Sequence, residues 1–132
     1  MTSHSIEGKV VLIAGGAKNL GGLIARDLAQ QGAKAVAIQA DLTTAAAVEK
    51  LFADASAAVG KPDIAINTVG KVLKKPITEI SEAEYDEMSA VNAKTAFFFI
   101  KEAGKQVNDN GKLLTLVTLD WFEELIDAHL EA

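Results

Sequence analysis

The sequence predicts an α/β sandwich, a four-stranded parallel sheet with helices on both faces. Short apolar runs alternate along the chain with stretches of helical periodicity. The runs are almost continuously apolar, as strands covered on both faces are. A helix-length crossover separates each run from the next, and such alternation builds a parallel sheet with right-handed connections.

The first strand is Lys9 to Ala14, stopped by Gly15-Gly16. Leu20 to Gln31 follows as a helix with Leu20, Leu23, Ile24 and Leu28 on one stripe and Gly32 as its stop. Ala35 to Ile38 is the second strand. Asp41-Leu42-Thr43-Thr44 supplies helix-start chemistry for an alanine-rich helix, Ala45 to Val59, with Val48, Leu51 and Phe52 on one side. Gly60-Lys61-Pro62 ends it. Asp63 to Asn67 is the third strand, and a loop with Gly70 and Pro76 leads to Ser81. Glu84, three places on, completes a capping-box pattern. The helix that starts there runs to about Val107, punctuated by Gly104. Asn108 to Gly111 is a turn, and Leu113 to Val117 is a fourth buried strand. Asp120, with Glu123 three residues later, starts a last helix whose stripe is Trp121, Phe122, Leu125, Ile126 and Leu130.

The expected strand order is 2-1-3-4 within a single domain spanning 1–132. The first helix then covers one face of the sheet, and the second and third cover the other. Residues 119–132 act as a closing helix that returns to the first helix's face, giving two helices per face in a flavodoxin-like, minimal Rossmann arrangement.

Composition excludes several functions. The chain has 132 residues, no cysteine and a net charge of −5. Without cysteine there is neither a disulfide framework nor a thiolate metal site. His4 and His129 are too few and too far apart to suggest a metal site. The scattered basic residues lack the clustered positive face that nucleic acid requires. No apolar run reaches membrane-span length, and the polar start, Met1 to Ser5, lacks a signal-peptide core. A cytoplasmic protein is expected.

The turn after the first strand has a physical reason to hold phosphate. Glycine lets the backbone bend sharply, and the following helix points unpaired N–H groups and a positive dipole end at an anion. Gly15, Gly16, Gly21 and Gly22 suit that role, or serve only tight strand–helix packing. Asp41 lies about 20 residues past Gly21, where a carboxylate would accept from a ribose hydroxyl; its local role is an N-cap contact.

These residues resemble the short-chain dehydrogenase/reductase family over Lys9 to Thr118. Ala14 to Gly21 looks like the family's Thr-Gly-x-x-x-Gly-x-Gly turn, with Ala14 for the threonine and Asn19 for the middle glycine. Ala40-Asp41-Leu42 resembles the end of its third strand, and Asn67-Thr68-Val69-Gly70 its Asn-Asn-Ala-Gly motif. Pro76 through Val91-Asn92 fits the run into its long helix. The resemblance implies a dinucleotide, NAD or NADP, on Gly15, Lys18, Asn19, Gly21, Asp41 and Asn67. Lys18 resembles a contact to the 2′-phosphate of NADP, and Asn92 falls on an active-site position. The helix of Phe97-Phe98-Phe99 resembles the family's dimer helix, and the three rings cannot all face the sheet.

The departures are as informative. The family has a helix and loop between its second and third strands, whereas here Ile38 runs straight into Gln39-Ala40-Asp41. The family's serine falls near Thr118 or Leu119, and the Tyr-x-x-x-Lys pair is absent; Tyr85 has Ser89 four places on. The chain therefore reads as a re-engineered or recombined, non-catalytic scaffold with weak residual dinucleotide affinity. The alternatives are a natural fragment in origin and, in function, an NAD(P)-dependent oxidoreductase acting on a carbonyl or alcohol.

Overall fold

The computed structural model describes residues 5–15, 19–71, 73 and 75–115. Four strands form one parallel sheet in the order β2-β1-β3-β4: β1 is Val10–Ala14, β2 Lys34–Ile38, β3 Ile64–Asn67 and β4 Lys112–Thr115. Val11 to Ala14 are fully buried in the centre, with Ala14 level with Ile38 on one side and Asn67 on the other. The expected order therefore holds.

Alternation along β1 divides the core in two. Val11 and Ile13 join Ala33, Ile66 and the apolar stripe of α1, Asn19–Gln30, on one face. Leu12 and Ala14 join α2, Ala45–Val59, and α4, Thr95–Gln106, on the other. There Phe52 of α2 and Phe99 of α4 are both fully buried, with ring centroids 5.3 Å apart. Among the described residues the first face carries α1 alone. The closing helix expected over 119–132 lies outside them, as does the end of the fourth strand past Thr115.

Three expectations need correction. Thr44, not Asp41, caps α2: its hydroxyl accepts from Ala47 N at 3.2 Å, while Asp41 turns its carboxylate onto Thr43. The helix after Ser81 is broken at Ala90–Lys94 rather than at Gly104. Helix α3, Glu82–Ser89, passes through a π turn into α4 there, with the Thr95 amide donating five residues back to Ala90 O. The Thr95 hydroxyl lies within hydrogen-bond distance of the same oxygen and of Leu42 O, so a tertiary contact holds the wider turn open. Finally, β4 is not buried. Leu114 is 47% exposed and Leu113 is also open, because among the described residues β4 is an edge strand and α4 is the one helix that packs against it.

The Ser81–Glu84 capping box forms with both reciprocal hydrogen bonds, at 2.9 and 3.1 Å. Of the three consecutive phenylalanines, Phe99 is buried, Phe98 is half-buried and Phe97 is 63% exposed.

Candidate functional site

The chain leaves β1 toward β2 on one side and reaches β3 on the other, so the crossovers diverge beside β1. A crevice opens at such a switch point, outside the carboxyl ends of the strands. Gly15 begins it. Its φ of +113° is one that side chains rarely adopt, and a Cβ there would overlap Thr68 Oγ1. Both the amide and the hydroxyl of Thr68 donate to Ala14 O at 2.8 Å, and Gly15 N donates to Ile38 O at 3.2 Å. The turn is thus tied to both neighbouring strands.

Two adjoining cavities lie here. The first, about 240 Å³, is walled by Gly15, Leu20 and Gly21 on the α1 side, and by Gln39, Thr68 and Gly70 opposite. The second, about 460 Å³, is lined by Asp41, Leu42, Thr43, Glu87, Val91 and Thr95 among others. Ala40 and Val69 belong to both walls, so the two form one groove. Helix α1 starts at its end, with no acidic residue in the first turn to compete for the helix dipole.

The structure brings Gly15, Gly21 and Asp41 to this groove. Asn19 opens α1 beside it, while Lys18 and Gly16 lie outside the described residues. Asn67 does not line it. At 1% exposure it sits beneath, its Oδ1 accepting from Val69 N at 3.0 Å and its Nδ2 without a hydrogen-bond partner. Asn92, buried on the π turn, holds the far wall: its Oδ1 accepts from Lys71 N and its Nδ2 donates to Lys71 O, both at 2.8 Å. That bidentate clasp fixes the loop after β3. Thr118 and Leu119, at the expected serine position, lie outside the described residues.

Sequence reasoning missed Gln39, Thr68 and Thr43. Gln39 and Thr68 immediately follow strands, a position that could have marked them. Thr43 donates to Asp41 Oδ1 through its hydroxyl at 2.6 Å and its amide at 3.0 Å, which holds the exposed Asp41 carboxyl below the ordinary range. Glu87 is paired with Lys71 at 2.6 Å on the outer rim. Glu84 is likewise lowered, first by the Ser81 amide and then by Lys75. No helix among the described residues is long and apolar enough to cross a membrane.

The fold and its switch-point crevice define a Rossmann-like α/β protein. The chain belongs to the short-chain dehydrogenase/reductase family: residues 5–122 match a family model described as enoyl-(acyl carrier protein) reductase. It is 28% identical to elsinochrome reductase 1 of Elsinoe fawcettii over 141 residues, covering 88% of this chain and 53% of that protein. The hydroxynaphthalene reductase-like protein Arp2 of Metarhizium brunneum is 29% identical, covering 87% and 52%. A Burkholderia cenocepacia protein described as a dehydrogenase with bound NADP is 61% identical at a TM-score of 0.82, over 89% of this chain and 55% of that one. The chain spans about half the length of the curated relatives it matches. The match to elsinochrome reductase 1 has 141 positions but uses 88% of 132 residues, about 116, leaving some 25 positions without a counterpart here.

Proposed function

We propose that these residues form a dinucleotide-binding module, taken from a short-chain oxidoreductase, that binds without carrying out hydride transfer. The observation that carries this reading is the two-part groove over Gly15 and Gly21, backed by the amide end of α1. Its volume suits a nucleotide half better than a whole dinucleotide with its substrate. The NADP bound to the Burkholderia dehydrogenase supports the ligand class.

Fit to the ligand rests on the chain's own residues. The tight Gly15 turn lets a pyrophosphate approach the backbone, and Gln39 and Asp41 stand where ribose hydroxyls need acceptors. A bound nicotinamide cofactor supplies the hydride. Within these 132 residues no Tyr-x-x-x-Lys pair supplies the proton that must accompany it. Asn92 spends both ends of its amide on Lys71 and orders the wall of the groove.

The origin follows from the same reading. The chain is a recombined scaffold in which one βα unit has been removed between β2 and α2, and the unmatched alignment positions support this. Helix α4, with Phe97 and Ile100 exposed, is the surface through which two copies would associate.

The test is titration of the chain with NADP followed by amide NMR shifts, beside an assay of NADPH oxidation with simple ketones. Shifts at Gly15 to Gly22, an affinity no tighter than roughly tens of micromolar, and no turnover support the proposal. Shifts confined to 71–76 overturn the binding site, and turnover above an enzyme-free control overturns the non-catalytic reading. Turnover would instead favour an NAD(P)-dependent oxidoreductase.

A further inference from the structure

We propose that residues 119–132 of this chain dock on the half of the sheet that α1 leaves open, lying over β3 and β4 with Trp121 against Leu114. This docking stands apart from the nucleotide reading of the groove and holds whether or not a nucleotide binds there.

The open surface follows from the register. Ile64 and Ile66 of β3 belong to the α1 side of the core, and their partners on β4 are Lys112 and Leu114. Neighbours in register point to the same face of a sheet, so all four side chains face the α1 side. Helix α1, however, packs against β2 and β1. Among the described residues no helix covers this side of β4, and Leu114 stands open beside the buried Ile66. Folded proteins cover or charge an apolar strip along an edge strand, because a bare one invites aggregation.

Three features commit the occupant to residues 119–132. The first is pattern. At helical spacing Trp121, Phe122, Leu125 and Ile126 fall on one side, and Glu123, Glu124 and Asp127 on the other. Residues from Glu123 onward lie past the match to the family model, so this pattern belongs to the chain itself.

The second is reach. Five residues separate Asp120 from Thr115 at the end of β4, a span of up to about 16 Å when extended. Packed layers lie only about 10 Å apart. A helix from Trp121 to Leu130 is about 15 Å long, close to the length of a four-residue strand such as β4.

The third is charge. A helix turning back from the end of β4 runs antiparallel to it and brings its last turn to the start of that strand. Lys112 is exposed there, on the same side of the sheet. Asp127 and Glu131 oppose the helix dipole at this end, and Lys112 offsets both the carboxylates and the dipole.

Trp121 is the single tryptophan of the chain and reports its own surroundings. In the native 132-residue chain its fluorescence is expected to be blue-shifted and several-fold less quenched by acrylamide than in urea. Leu114→Asp should restore most of the quenching. Leu113→Asp, a similarly exposed neighbour facing the α4 side, should leave Trp121 shielded. Lys112→Glu should lower the melting temperature more at low salt than at high. If an aspartate variant fails to fold, NMR cross-peaks between the Trp121 indole and the Leu114 methyl protons of the parent support the proposal, and their absence overturns it. Trp121 quenched as fully in the native chain as in urea overturns it too. So does shielding that survives Leu114→Asp but is lost in Leu113→Asp, which puts the segment on the α4 side. Shielding that falls on dilution, in step with dissociation of a dimer, assigns the cover to a second copy and overturns docking within one chain.

Discussion

The two loops that wall the groove are built differently. The loop after β3 is fastened to distant parts of the fold: Thr68 to Ala14 across 54 residues of chain, Lys71 to Asn92 across 21. The loop after β2 has one such tie, the Thr95 hydroxyl donating to the buried Leu42 O across 53 residues, and is otherwise held by its neighbours, Asp41 by Thr43 and the α2 terminus by Thr44. One wall is therefore set by tertiary structure before any ligand arrives, and the other, apart from its tie at Leu42, by short-range hydrogen bonds that cost little to remake. A site with one fixed and one adjustable wall keeps its location when the adjustable wall is rewritten. A groove accordingly forms beside a connection of only six residues between β2 and α2.

Substitutions can break this contrast. The largest effect is expected for Gly15→Ala, which forces a disfavoured φ and drives a methyl group into Thr68, a short β-branched side chain already bonded to Ala14. A loss of about 2–4 kcal/mol in urea unfolding is expected. Asn92→Ala comes next, at about 1–3 kcal/mol, since it strips both partners from the Lys71 peptide and leaves a gap at a buried position. In the adjustable wall, Thr44→Ala should cost only about 1 kcal/mol, the value of a helix cap. Asp41→Ala should leave the melting temperature unchanged within error. Equal losses from Asn92→Ala and Asp41→Ala would erase the difference between the walls.

A pH series sharpens the comparison from outside the site. Asp63 Oδ2 accepts from Val10 N and its Oδ1 from Asn108 Nδ2, both at 2.9 Å, which lowers its carboxyl below the ordinary aspartate value of 3.8. A lowered carboxyl stabilises the fold fully above the unfolded value, and that stability is lost as pH falls through the folded one. Chemical denaturation of the parent should weaken between about pH 5 and 2 more steeply than that of Asp63→Asn. Parallel curves would mean the contact carries no net stability.

Much of the fold was legible because it is local. Strand runs, the Gly32 stop and the Ser81–Glu84 box each depend on residues a few places apart, and each leaves its own pattern. The cap of α2 was misassigned because Asp41 and Thr44 have the same capping chemistry, and only the direction of the chain after Leu42 decides between them. The π turn was invisible because it depends on Thr95 reaching Leu42 O, a bond across 53 residues. The site was partly legible for the same reason. Its glycines announce themselves, whereas the Asn92 clasp and the shared wall at Ala40 and Val69 arise only when separate segments meet.

Asp63 also answers a question of alignment. A strand with one wet face finds its register by alternation, since a slip of one residue would turn apolar side chains outward. Strands β1 and β3 have little such guidance: Val11 to Ala14 and Ala65 to Asn67 are buried whichever way they point. Directional bonds must supply the missing information. At the start of β3, Asp63 exchanges hydrogen bonds with the Val10 backbone at 2.8 and 2.9 Å, and its carbonyl accepts from Lys112 N at 2.9 Å. One residue thereby indexes three strands against one another, so that Ala14, Asn67 and Thr115 finish in the same row and the sheet presents an even edge to whatever binds there.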